Sequence, residues 1–76
     1  PDEAYRLGIE GKVFIRFIVE KDGRITHAEI VRDIGGGCGE TALKAVNNMP
    51  RWKRGYVNSR PVRGYFILPV EFRLEK

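Results

Sequence analysis

Between Tyr65 and Leu74 every even position is apolar (Phe66, Leu68, Val70, Phe72 and Leu74), while the odd positions mix Tyr65 and Ile67 with Pro69, Glu71 and Arg73. A two-residue period of this kind specifies an extended strand with one face in a core. Pro69 constrains it further. Proline has no amide hydrogen to give to a ladder, so it occupies edge strands, strand starts or bulges. Backbone N–H and C=O groups alternate in direction with the side chains. With the nitrogen of Pro69 on the open side, the odd residues turn their backbone outward and the even ones pair inward. Proteins normally blunt so long and half-apolar an edge, and Pro69 and Glu71 do this only in part. The run reads as an edge strand left available to a partner strand.

The rest of the chain supplies the layers around that strand. Pro1 to Gly8 reads as a two-turn helix, with proline at its start, Asp2 and Glu3 in the first turn and Gly8 as its stop. A helix this short forms only when docked. Lys12 to Glu20 is a strand with Val13, Ile15, Phe17 and Val19 on one face and the half-apolar set Phe14, Arg16, Ile18 and Glu20 on the other, as suits a central position. Lys21-Asp22-Gly23 is a hairpin turn, and the returning strand runs from Arg24 to Asp33. Ile25 does not share the parity of Ala28 and Ile30, so a bulge near Thr26 and His27 is needed to bring all three to one side. Ile34 to Gly39 reads as a flexible glycine loop. From Glu40 the apolar period becomes helical through Ala42, Leu43, Ala45, Val46 and Met49, and Pro50 ends it. Arg51 to Pro61 reads as a turn-rich connection anchored by Trp52.

The order helix, strand, strand, helix, strand fixes the expected topology. The second and third strands bracket a helix, and such crossovers skip past a neighbouring strand. The chain is therefore expected to be a small two-layer α+β domain of αββαβ topology. Its three-stranded antiparallel or mixed sheet has the order 2-1-3, and both helices lie on one face. The other face is expected to be partly open, with Phe14, Ile18, Tyr65 and Ile67 on it. Seventy-six residues make a single domain, 1–76, expected to be excised from a longer protein. At this length only roughly 60% of the unfolded chain's surface is buried on folding.

Composition excludes little. Hydrophobic residues at 42% and charged residues at 32% suit a globular domain and argue against disorder. The formal net charge of +4 leans towards acidic partners, but the basic residues are scattered apart from Arg51, Lys53 and Arg54. A single cysteine, Cys38, rules out an internal disulfide and any multi-cysteine metal site. No apolar run approaches the length of a membrane span.

Catalytic chemistry is not visible. His27 has no Cys, Ser or acid at motif spacing and reads as a surface or structural residue. Cys38 precedes a helix, where thiols can be activated, but no base is paired with it and it reads as incidental. Gly35-Gly36-Gly37-Cys38-Gly39 lacks the Lys-Ser/Thr of a phosphate loop and follows a hairpin strand, the wrong setting for a dinucleotide fingerprint. Trp52 and Tyr56 among Arg51, Lys53 and Arg54 suggest an alternative function, a small basic module that binds single-stranded nucleic acid. Against it, such a tryptophan is more often a core plug with a solvated basic rim.

Gly8-Ile9-Glu10-Gly11-Lys12-Val13, Asp22-Gly23-Arg24-Ile25, Ala42-Leu43, Met49-Pro50-Arg51-Trp52 with Gly55, Pro61-Val62 and Leu68-Pro69-Val70-Glu71-Phe72 occur in an order and spacing that resemble the C-terminal domain of TonB. That family comprises periplasmic energy transducers of Gram-negative bacteria, and the resemblance covers almost the whole chain. The glycine-rich loop around Cys38 is similar to the version found among Bacteroidetes-type members. The family's Tyr-Pro element ahead of the first helix is represented only by Pro1. Arg54 stands where a proline is common and Asn58-Ser59 where Asn-Gly is common.

The resemblance implies a non-enzymatic adaptor without cofactor or metal. It would be the periplasmic domain of an inner-membrane-anchored protein, capturing the TonB box of outer-membrane transporters by strand addition and transmitting energy derived from the proton-motive force. The implied partner-binding residues are Tyr65, Phe66, Ile67, Leu68, Pro69, Val70, Glu71, Phe72 and Arg73. The implied partners are a TonB-dependent outer-membrane transporter and, for the full-length protein, an ExbB/ExbD-type inner-membrane complex, with no small-molecule substrate and no nucleic acid. An unfilled edge also leaves self-pairing or swapping into a homodimer open.

Overall fold

The computed structural model describes residues 1–52, 55–57 and 60–74, with 55–57 and 60–62 as backbone alone. The chain runs α1 (Asp2–Leu7), β1 (Gly11–Val19), β2 (Ile25–Arg32), α2 (Cys38–Asn47), β3 (Gly55–Val57), β4 (Arg60–Val62) and β5 (Gly64–Phe72). The main sheet has the order β2-β1-β5, antiparallel at both junctions. This is the expected 2-1-3 sheet, and its strands are now all antiparallel to their neighbours. One element differs from expectation. The stretch read as a turn-rich connection contains a separate two-stranded hairpin, β3-β4, paired from Gly55↔Val62 to Val57↔Arg60. Three-residue strands are too short to show a hydrophobic period, so nothing in the sequence pattern distinguished them from turn.

β1 is the centre of the core. Val13, Ile15, Phe17 and Val19 are fully buried, each contributing about 1.5–3 kcal/mol relative to exposure. Ala42 and Val46 of α2 and Ala4 of α1 pack on the same cluster, which places both helices on one face. α1 ends in an αL glycine, Gly8, whose N–H reaches the Tyr5 carbonyl at 3.2 Å while Ile9 N–H reaches that of Ala4 at 2.8 Å. These two bonds close the last turn in the pattern of a Schellman cap.

The β1–β2 hairpin closes through Gly23 N–H to Glu20 C=O at 2.8 Å and Glu20 N–H to Arg24 C=O at 2.8 Å. Gly23, at φ 87°, also accepts the Trp52 N–H at 2.9 Å, and a Cβ there would overlap the Trp52 carbonyl. The glycine is therefore required twice, by its backbone angle and by the approach of a second chain segment. In β2 the expected bulge is present. The register slips opposite Arg16 to Ile18, with His27 at φ 54°, and Ile25 and Ala28 pack on the core, while Ile30, opposite Ile15 on the same side, stays 36% exposed. A second slip, between Arg32 and Ile30, was not expected.

The glycine loop is a tightly bonded turn, in contrast to the flexible connection expected of it. One carboxylate oxygen of Asp33 accepts the N–H groups of Ile34 at 2.7 Å, Gly35 at 3.0 Å and Gly39 at 3.0 Å. It thus caps the start of α2 from outside the helix, satisfying amides that an N-terminal turn leaves bare. A Cβ on Gly39 would collide with that carboxylate. Cys38, which begins α2, is wholly buried in the core.

Candidate functional site

The sheet has two edges, and they differ. β2 is interrupted by two register slips and carries Glu29 and Arg32. β5 pairs with β1 over nine consecutive positions, from Gly11↔Phe72 to Val19↔Gly64, without a slip. A bulged edge is twisted out of register for a further strand, whereas a regular edge is a template for one. Among the described residues nothing pairs with the outer side of β5.

Backbone direction along β5 follows from the hairpin. The Glu20 N–H points to β2, where it meets the Arg24 carbonyl. Directions alternate along β1, so Val13, Ile15, Phe17 and Val19 turn towards β5. Their register partners Val70, Leu68, Phe66 and Gly64 share hydrogen bonds with them. Tyr65, Ile67, Pro69 and Glu71 then direct their backbone outward. The absence of a slip at Phe14↔Pro69 is consistent with this, because a proline nitrogen facing β1 would break the ladder.

The side chains of β5 divide unequally. Tyr65 is 61% exposed, Ile67 55% and Phe66 39%, while Leu68, Val70 and Phe72 are half-buried against the core. On the helix-bearing face, Phe66 belongs to an aromatic trio: Trp52 lies 5.4 Å from Phe66 and 5.1 Å from Phe17, edge-on to the latter, and Phe17 and Phe66 stack at 6.2 Å. Such pairs add about 0.5–1.5 kcal/mol beyond the area they bury. On the opposite face Arg16 pairs with Glu29 and lies over the ring of Tyr65, 5.9 Å from its centroid. At the far end Glu71 and Arg73 form an ion pair.

Both ends of β5 are tied. Arg63, just before the strand, holds Glu20 through two bonds of 2.7 and 3.3 Å, and Thr26 Oγ1 donates to the same carboxylate. These donors, Arg63 first and Thr26 second, hold the Glu20 carboxyl below its ordinary value. After the strand, Leu74 N–H reaches a Glu10 carboxylate oxygen at 3.1 Å. Sequence reading missed the Arg63–Glu20–Thr26 cluster. Positions 20 and 63 meet only once Val19↔Gly64 is known, and no local pattern announces that register.

Of the nine residues expected at the edge, Tyr65 to Phe72 lie within β5 and Arg73 immediately follows it. The other candidates disperse. His27 Nδ1 lies 3.0 Å from Thr26 Oγ1 on the bulge of β2, and Cys38 is sealed in the core. Trp52 is engaged with Phe17 and Phe66. Lys53 and Arg54 of the basic alternative lie outside the described residues, as does the Tyr56 side chain. Among the described residues no three His, Cys, Asp or Glu side chains are grouped for a metal.

An α+β domain of this topology, with one regular free edge, agrees with the family comparison: the model of the Gram-negative bacterial TonB protein C-terminal matches residues 1–74. The chain belongs to the TonB C-terminal family. No curated protein and no solved structure matches it. TonB C-terminal domains are energy-transducing, transport-associated and non-enzymatic, and in Gram-negative bacteria they are periplasmic. The family points to interaction with TonB-dependent outer-membrane transporters. No described helix of this TonB domain is long and apolar enough to cross a membrane.

Proposed function

We infer that this TonB domain works in the periplasm as an adaptor, adding the TonB box of an outer-membrane transporter to β5 as a fourth strand. The partner-binding residues are Tyr65 to Arg73. The observation that carries the reading is the unbroken nine-position register that leaves one regular edge with outward amides and exposed apolar side chains. Main-chain bonds provide affinity with little demand on side chains, so one adaptor serves several transporters. Each bond contributes roughly 0.5–1.5 kcal/mol net, and several loaded together transmit a pull. In the full-length protein that pull derives from the proton-motive force, through an inner-membrane anchor and an ExbB/ExbD-type complex.

The test is a titration of the chain with a labelled peptide from the N-terminal segment of an outer-membrane transporter of the same bacterium, beside a labelled single-stranded oligonucleotide, at two salt concentrations. Peptide binding that survives the higher salt supports the adaptor. Binding of the oligonucleotide alone, falling steeply with salt, overturns it in favour of a nucleic-acid module.

A further inference from the structure

Resting on the strand-addition reading, we propose that within the Tyr65–Arg73 edge Pro69 narrows main-chain capture to the first half of β5, from Gly64 to Leu68, and so sets the kind of segment the domain accepts. The outward positions are 65, 67, 69 and 71. Tyr65 and Ile67 each offer an N–H, Pro69 offers none, and the next donor is Glu71. Ile67 and Glu71 are four residues apart, roughly 13 Å along a strand. A partner carbonyl lying opposite Pro69 would leave water and find no donor, which costs more than a bond that is simply absent.

The side chains change at the same point. Before Pro69, three consecutive residues, Tyr65, Phe66 and Ile67, expose apolar surface on both faces of the sheet. Beyond it Val70 and Phe72 turn into the core, Glu71 and Arg73 pair with each other, and the Leu74 amide is drawn back to Glu10. Phe72, Arg73 and Leu74 also border a cleft shared with Pro1, Ala4, Tyr5 and Ile9 beside α1. A strand continuing past Pro69 would gain one further donor, Glu71, beside charged instead of apolar side chains. The fitting partner is an extended segment, apolar on both faces over about four residues, whose next residue leaves the edge. The same gap hinders two copies from pairing along their whole edges.

The experiment follows amide exchange by NMR on the chain with a capped peptide from the N-terminal segment of an outer-membrane transporter, for the natural sequence and for Pro69→Ala. The peptide should slow exchange at Tyr65 and Ile67 and leave Glu71 unchanged. Pro69→Ala should bind roughly 2- to 10-fold tighter, the equivalent of one added bond. It should also extend protection to residues 69 and 71, and in the free protein promote association measured by sedimentation. Equal protection of Glu71 and Ile67 in the natural sequence, or unchanged affinity and pattern in Pro69→Ala, overturns the role of Pro69 while leaving strand addition standing. If no amide of β5 is slowed, strand addition itself fails and this inference with it.

Discussion

Moving a proline one residue along β5 should separate folding from capture. Leu68→Pro places the ring towards β1, opposite the fully buried Ile15, and removes the N–H that the Ile15 carbonyl accepts. A buried acceptor left bare costs about 1–3 kcal/mol. The half-buried leucine side chain and the pressure of the ring on β1 add to that, for a total of roughly 3–5 kcal/mol. A chain of 76 residues has about 4–11 kcal/mol of stability in all. The variant should therefore be largely unfolded, or lose roughly 2 M or more from its urea midpoint at a slope near 1–2 kcal/mol/M. Ile67→Pro should cost only about 0–1 kcal/mol, because its amide faces solvent and its side chain is 55% exposed. It should nevertheless weaken the transporter peptide by removing an outward donor. Val70→Pro belongs with Leu68→Pro, and Glu71→Pro with Ile67→Pro in stability. Urea titration followed by circular dichroism, with fluorescence anisotropy for the peptide, measures both quantities. Equal destabilisation at 67 and 68, or the reverse order, would show that the backbone parity derived from the Glu20–Arg24 bond is wrong.

Asp33→Ala should lower stability by about 1–2 kcal/mol, the scale of a lost helix cap, and calorimetry should show it as a drop in Tm without loss of the α2 signal. Gly23→Ala should cost about 1–3 kcal/mol from its positive φ alone, and more if the chain cannot shift away from Trp52. On the acid side, Glu20 titrates below its ordinary 4.5 because Arg63 and Thr26 donate to its carboxylate, and Asp22 below 3.8 because the Arg24 amide and guanidinium do. Lowered folded values mean that their stabilisation is present above the unfolded values and is lost as pH falls through the folded ones. Tm should thus decline slightly more steeply below about pH 4.5 in the natural chain than in Glu20→Gln, a small difference because the Arg63–Glu20 pair is solvent-accessible, and parallel curves would remove Glu20 from the account.

How much of this was legible in the sequence depends on the distance over which each feature is encoded. β1, α2 and β5 are written in period: four buried residues at alternate positions, a helical apolar stripe, and an alternating run marked by Pro69. The bulge at His27 was readable because Ile25 and Ala28 have opposite parity, so the side-chain pattern records the slip. At the slip beside Val31 the apolar residues do not change side in a way that reveals it. The glycine loop was misjudged because glycine signals freedom in isolation, whereas here Asp33 consumes three amides and Gly39 is small to admit its carboxylate. The Arg63–Glu20 bond, spanning the sheet, could follow only from the register.

The arrangement of β5 bears on how a load would pass through the domain. A segment added to its outer side would run alongside a strand joined to β1 over nine positions, and β1 is fully buried at Val13, Ile15, Phe17 and Val19. Force along the strand direction would act on those bonds together, in shear, instead of opening them one at a time. The strand's ends are where peeling would begin, and these are the points held by Arg63 on Glu20 and by Glu10 on the Leu74 amide. Both fastenings are solvent-accessible, and an exposed ion pair such as Arg63–Glu20 adds little to equilibrium stability. Their placement at the two ends of one strand therefore has more to do with resistance to fraying than with folding. On that argument Arg63→Ala should leave the urea midpoint nearly unchanged while amide exchange at Gly64 and Phe66 accelerates. A large loss of global stability with no local change at the start of β5 would refute it.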